Sequence, residues 1–285
     1  MVKTDRSPVT VADFGSQALV CGAIREAFPD DPIMAEEDAH ELRKPESRGL
    51  LDRIAALIPG ATADEVCRWI DYGSAADSSD RYWTLDPIDG TKGFLRNEQY
   101  AVALALLHDG RPVVAAMACP NFHGGVVFSA VLGGGARIRT HDGAAPQLIH
   151  VSNVSNPASA RLCESVEAAH SSHAHAKRVV SELFISTPPV RIDSQCKYGV
   201  LARGEADVYL RLPTKPGYVE RVWDHAAGAL IVTEAGGRVT DTAGKPLDYS
   251  HGRGLEANRG VVATNGRLHD RILAAIEKTR AEDGI

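Results

Sequence analysis

Apolar residues recur every three or four positions over 11–28, where Phe14, Ala18, Cys21, Ile24 and Phe28 fall on one face. That spacing predicts a helix with Thr10 as its N-cap. Shorter helical patterns follow at 50–58 and 63–71. The period then changes. Residues 100–108 and 112–119 are apolar runs joined by Asp109-Gly110, a hairpin signal, and 125–132 and 136–140 read as further strands. The first half is thus helix followed by a mainly antiparallel sheet. The composition shifts near Asp142-Gly143-Ala144-Ala145-Pro146. Beyond it, strands at 161–165, 189–193, 206–212 and 260–264 alternate with helices at 174–184, 195–204, 224–234 and from Leu268 onward. Such alternation predicts an α/β layer. The expected organisation is an α+β domain over 1–146 and an α/β domain over 147–285, with a ligand cleft between them.

Composition narrows the class without changing that picture. The chain has 285 residues, 44% hydrophobic and 24% charged, ordinary values for a globular protein. A net charge of −6, with both signs interspersed, gives no reason to expect nucleic-acid binding. The five cysteines, Cys21, Cys67, Cys119, Cys163 and Cys196, are widely spaced in mostly apolar contexts and read as buried thiols. No apolar run approaches the roughly 18–20 residues of a membrane span. The first residues lack the apolar core of a signal peptide, so a cytoplasmic location is expected.

The candidate chemistry is acidic. Trp83-Thr84-Leu85-Asp86-Pro87-Ile88-Asp89-Gly90-Thr91 sets two carboxylates around a proline at the end of an apolar run. Two unit charges about 4 Å apart repel by on the order of 4 kcal/mol at an effective dielectric near 20. Keeping both ionised calls for a cation, and hard oxygen ligands without Cys or His favour Mg²⁺ over zinc. Asp86 and Asp89 are the candidate ligands, with the Ile88 carbonyl as a further one. Gly90 would let the main chain approach a phosphate, and Thr91 would offer a hydroxyl to water. Asp-Pro and Asp-Gly are each common turn dipeptides, but neither explains the whole segment.

More acids occupy the ends of regular elements. Glu36-Glu37-Asp38 alone reads as a solvated turn or a helix start. Beside the Asp86 motif, Glu36 becomes a candidate ligand. Asp13 fits a capping box with Thr10 and equally an acid that orients water or a metal. Asp224 precedes Ala226-Ala227-Gly228, small residues that would leave room for a phosphate at a helix start. Together these acids suit a centre of two or three cations. His170-Ser171-Ser172-His173-Ala174-His175 lacks the carboxylate or Cys that would complete a zinc set, and reads as loop residues facing an anion. Lys197 and Arg211 are candidate phosphate contacts, and Trp223 is expected in the core.

Asp86 through Thr91, the preceding Glu36-Glu37-Asp38 and the late Trp223-Asp224-His225-Ala226-Ala227-Gly228 resemble the inositol monophosphatase-like, Mg²⁺-dependent and lithium-sensitive phosphatases. Ser7-Pro8-Val9-Thr10, Lys92-Gly93-Phe94, His170 through His173, Asp193 through Tyr198 and 206–213 resemble the 3′(2′),5′-bisphosphate nucleotidases among them. The resemblance spans nearly the whole chain. It implies a layered α/β/α/β fold of the sugar-phosphatase type. It implies metal ligands at Glu36, Asp86, Ile88, Asp89 and Asp224, with Asp13 and Thr91 activating water. Substrate contacts are implied at Gly90, Thr91, His170, Ser194, Lys197 and Arg211. The implied reaction is hydrolysis of adenosine 3′,5′-bisphosphate, and of its 3′-phosphosulfate analogue, by a monomer or weak dimer. Alternatives are an inositol phosphate phosphatase and a non-catalytic nucleotide-binding homologue. Family members open with a long helical segment before the Ser-Pro-Val-Thr motif; here that motif begins at Ser7, and the segment is expected to be missing.

Overall fold

The computed structural model describes residues 9–75, 79–166, 173–215 and 217–282. Helix α1 (Val11–Ala27) begins with a reciprocal capping box, in which the Thr10 hydroxyl accepts from backbone N–H groups and Asp13 accepts from the Thr10 N–H. Helix α3 (Ala63–Asp71) repeats the device with Thr62 and Glu65, and α2 (Arg48–Leu57) lies between them in the chain. Phe14, Ala18, Leu51, Ile54, Val66 and Ile70 join these three helices in one apolar cluster.

A seven-stranded sheet follows the order β1 (Ile33–Ala35), β2 (Arg81–Asp89), β3 (Ala101–His108), β4 (Arg111–Cys119), β5 (Val126–Val131), β6 (Ala136–Thr140), β7 (Gln147–Leu148). Only β1 and β2 pair parallel in it. The continuous apolar run of β3 has a physical cause: both of its faces are covered. Ala101, Ala103, Ala105 and Leu107 face one cluster, and Leu106 faces another that includes Cys21 and Ile24 of α1.

The second sheet has five strands, ordered β11 (Arg238–Thr240), β12 (Val261–Thr264), β10 (Val208–Arg211), β8 (Leu162–Glu164), β9 (Val190–Arg191). Between the sheets lie α6 (Cys196–Ala202) and α7 (Ala226–Glu234), with α4 (Thr91–Leu95) at the end of β2. Their approach depends on glycine. A Cβ on Gly199 would meet the Phe128 ring at 2.4 Å, and one on Gly228 would meet the Tyr198 ring at 2.1 Å. Helices α5 (His173–Glu182) and α8 (His269–Glu282) cover the outer face of the second sheet. The stack is therefore helix, sheet, helix, sheet, with a further outer helical layer.

Four elements differ from the sequence pattern. Strands β1 and β11 have three residues each, too short for any period to register. Strand β2 runs through the acidic motif, and its register on β3 shifts between Asp86 and Asp89. This bulge accommodates Pro87 within a paired strand. Residues Val222–Asp224 form a 3₁₀ turn, so α7 starts only at Ala226.

Candidate active site

Glu36 follows β1, and Asp86 and Asp89 lie in the last four residues of β2. Register pairs Ala35 with Leu85, so the next residues, Glu36 and Asp86, lie side by side. The Glu36-Glu37 turn is clamped by Gln17 of α1: its amide oxygen accepts the Glu37 N–H at 2.9 Å, and its amide nitrogen donates to the Glu37 carbonyl at 2.7 Å. Past the bulge, Gly90 adopts φ 85°, a left-handed conformation that favours glycine. A Cβ there would also press on Ser194 at 2.8 Å, so glycine lets the Ser194 turn pack against this position.

Thr91, at the head of α4, points back into the site. Its Oγ1 lies 3.4 Å from Asp13 Oδ1 and 3.3 Å from the Ile88 carbonyl oxygen. Asp13 Oδ2 accepts from the Thr10 N–H at 2.7 Å and from its hydroxyl at 2.6 Å. The capping role and the site-facing role of Asp13 thus coexist, one on each oxygen.

From the second half of the chain comes the turn before α6. Ser194 has φ 65°, and the Gln195 N–H donates to Asp89 Oδ2 at 2.5 Å. Lys197 was expected to contact substrate. Its ammonium is instead buried under this turn, donating to the Ser194 carbonyl at 2.6 Å, and burial lowers its pKa. Arg211, at the end of β10, forms a two-point pair with Glu220: Nε to Oε1 at 3.2 Å and Nη2 to Oε2 at 3.1 Å. The same Nη2 lies 3.9 Å from Asp224 Oδ2.

Asp224 feels the charges of Asp89, Glu36, Glu220 and Arg211. Burial pushes the Asp224 carboxyl well above its usual range, and the charges of Asp89, Glu36 and Glu220 add to this against the pull of Arg211. For Glu220 burial acts upward too, but the His225 hydrogen bond and the Arg211 charge hold it below the usual range. Acids that raise one another's pKa suit a hard divalent cation, and every side-chain donor in the set is a carboxylate oxygen. A narrower group, Glu220, Asp224 and His225, places one ligand atom each within 4.8 Å of the others and could hold an ion.

His170 lies outside the described residues. His175 is not a loop residue facing an anion: it belongs to α5, and its Nε2 is 3.0 Å from the Thr279 hydroxyl on α8. The small residues at the start of α7 make room for Tyr198 and not for a phosphate, since Ala226, Ala227 and Gly228 are all buried. Trp223 is buried as expected, with the Arg253 guanidinium 4.6 Å from its ring centre. All five cysteines are buried and free. Gln17, Glu220 and Arg253 were not foreseen. Gln17 and Arg253 bond backbone groups far off in the chain, and Glu220 pairs with Arg211 nine positions away in a spacing that matches no motif.

The family model for the inositol monophosphatase family matches residues 2–281. The chain belongs to that family. A 3′(2′),5′-bisphosphate nucleotidase from Oryza sativa is 44% identical over 305 residues, covering 96% of this chain and 85% of that protein. One from Schizosaccharomyces pombe is 41% identical, covering 99% and 87%. An IMPase from Thermotoga maritima has the same fold, with a TM-score of 0.69 at 22% identity over 98% of this chain and 87% of that one. Among the described residues, no helix is long and apolar enough to cross a membrane.

Proposed function

We propose that this protein is a Mg²⁺-dependent phosphomonoesterase that hydrolyses adenosine 3′,5′-bisphosphate to AMP and phosphate, and acts on the 3′-phosphosulfate analogue in the same way. The observation that carries this reading is the Thr91 hydroxyl, held between Asp13 and the Ile88 carbonyl beside the converging carboxylates. The names of the relatives supply the substrate class.

Glu36, Asp86, Asp89, Asp224 and the Ile88 carbonyl would hold the metal. When bound there, two or three Mg²⁺ ions supply Lewis acidity, acidifying water and neutralising phosphoryl charge. The chain's own residues do the rest. Thr91 Oγ1 orients the attacking water and takes its proton while passing its own to Asp13. The water oxygen bonds to phosphorus as the bond to the 3′-oxygen breaks in line, and that oxygen leaves as an alkoxide that takes its proton from solvent water. The Ser194–Gln195 turn holds Asp89 by a backbone N–H, which fixes the carboxylate's orientation. Arg211 faces the phosphoryl group, and Lys197 supports the substrate side by shaping the turn. His170 and Ser194 remain substrate contacts on the strength of the family resemblance.

The test is phosphate release from adenosine 3′,5′-bisphosphate with Mg²⁺, set beside inositol monophosphate. Turnover is expected on the nucleotide, lost with chelator, inhibited by lithium at the millimolar scale, and abolished in a folded Asp89→Asn variant. A higher specificity constant on inositol monophosphate would overturn the nucleotide assignment.

A further inference from the structure

We propose that Glu220 is a positioning residue that aims Arg211 at the substrate phosphoryl group and keeps it off Asp224, and that it is not a metal ligand. This rests on the phosphatase reading above.

Glu220 is 4% exposed, and its backbone is fixed because its carbonyl accepts the Leu255 N–H at 2.8 Å. Both carboxylate oxygens are engaged. Oε1 accepts from Arg211 Nε, and Oε2 accepts from Arg211 Nη2 at 3.1 Å and from His225 Nε2 at 3.2 Å. His225 is itself committed on its other side, with Nδ1 2.7 Å from the Tyr198 hydroxyl. A cation among Glu220, Asp224 and His225 would have to displace a guanidinium and break the Tyr198 contact or the Glu220 contact of the imidazole. The position a metal would take beside Glu220 is already filled by a permanent cation.

Arg211 has two carboxylates within reach, and the distances say which holds it. Glu220 takes it in a fork at 3.1 and 3.2 Å, while Asp224 stands at 3.9 Å. A two-point pair fixes both the distance and the plane of the guanidinium. Without the Glu220 charge, Asp224 becomes the strongest acceptor nearby. The arginine would then swing onto it, leaving the substrate side and competing with the metal for Asp224. The two roles of Glu220 follow from one geometry.

The experiment compares wild type, Glu220→Gln, Arg211→Ala and the double variant. Two readouts are taken: the rise in melting temperature caused by Mg²⁺ alone, and KM and kcat on adenosine 3′,5′-bisphosphate. In Glu220→Gln, the Mg²⁺ midpoint is expected to rise about tenfold, because Arg211 now occupies Asp224. In the double variant the midpoint should return to the wild-type value. KM should rise about tenfold in Glu220→Gln, and the double variant should be no worse than Arg211→Ala. A double variant that still fails to respond to Mg²⁺ makes Glu220 a ligand and overturns the proposal, as do KM effects that simply multiply. If Glu220→Gln does not fold, Glu220→Asp keeps the charge and should show partial rescue of KM with a near-normal Mg²⁺ response. The melting shifts need no substrate. A wild type inert towards nucleotides would defeat the proposed function, yet the Mg²⁺ data would still decide the role of Glu220.

Discussion

At the head of α1, Asp13 caps the helix with Oδ2 and faces Thr91 with Oδ1. The Thr62–Glu65 box of α3 is the same motif with no reacting group beside it, and so serves as an internal control. Asp13→Asn keeps an acceptor for the cap but loses the proton acceptor. Its kcat is expected to fall about a hundredfold or more, with a stability loss within about 1 kcal/mol. Glu65→Ala should lower the unfolding midpoint modestly and leave kcat/KM unchanged. Equal loss of activity in both would mean that Asp13 acts only through the helix. Glycines differ in the same local way. Gly228→Ala drives a methyl into the Tyr198 ring and is expected to cost about 1–3 kcal/mol in urea unfolding. Gly49→Ala on exposed α2 meets nothing within 4 Å and should gain about 0.5–1 kcal/mol.

At the scale of elements, a buried imidazole ties α8 to the second sheet beside the apolar cluster they share. The hydroxyl of Thr240 donates to the Asp241 carbonyl at 2.8 Å, so its oxygen accepts from His269 Nε2 at 2.9 Å. Thr264 Oγ1 accepts the Gly266 N–H and donates to His269 Nδ1 at 3.0 Å. These donor directions suit the neutral ring, and burial lowers the His269 pKa to about 4 from an ordinary 6.5. The unfolded chain therefore binds the extra proton between these values. The linked stability, up to about 3 kcal/mol, is fully present above pH 6.5 and is lost as pH falls towards 4. Urea midpoints measured from pH 7 to 4 should show this slope, and His269→Gln should flatten it whatever its own stability. A variant as steep as wild type would place the titration elsewhere.

At the scale of the molecule, what the sequence made legible was whatever is local in the chain. The Asp86–Thr91 motif, both capping boxes and the long apolar strands each carry their signal within a dozen residues. Strand β1 does not, because it exists only once distant segments meet, and the Glu220–Arg211 fork, nine positions apart, joins two elements in a spacing that matches no motif. Arg253 is the extreme case. Its Nη2 donates to the Ala35 carbonyl at 2.5 Å across 218 positions in the chain, and its Nη1 donates to the Ala75 carbonyl at 3.3 Å. Its guanidinium also rests on Trp223. Ala35 precedes Glu36 and Trp223 precedes Asp224, so one side chain fixes the backbone carriers of two candidate ligands from opposite halves of the chain. Arg253→Met keeps the stem and the contact with Trp223 but loses both carbonyl bonds. It is expected to raise the Mg²⁺ midpoint about tenfold, while KM at saturating metal changes by less than about threefold. A variant with a normal metal response and weakened substrate binding would show that the two halves are held in register by other contacts, and that Arg253 bears on the substrate side alone.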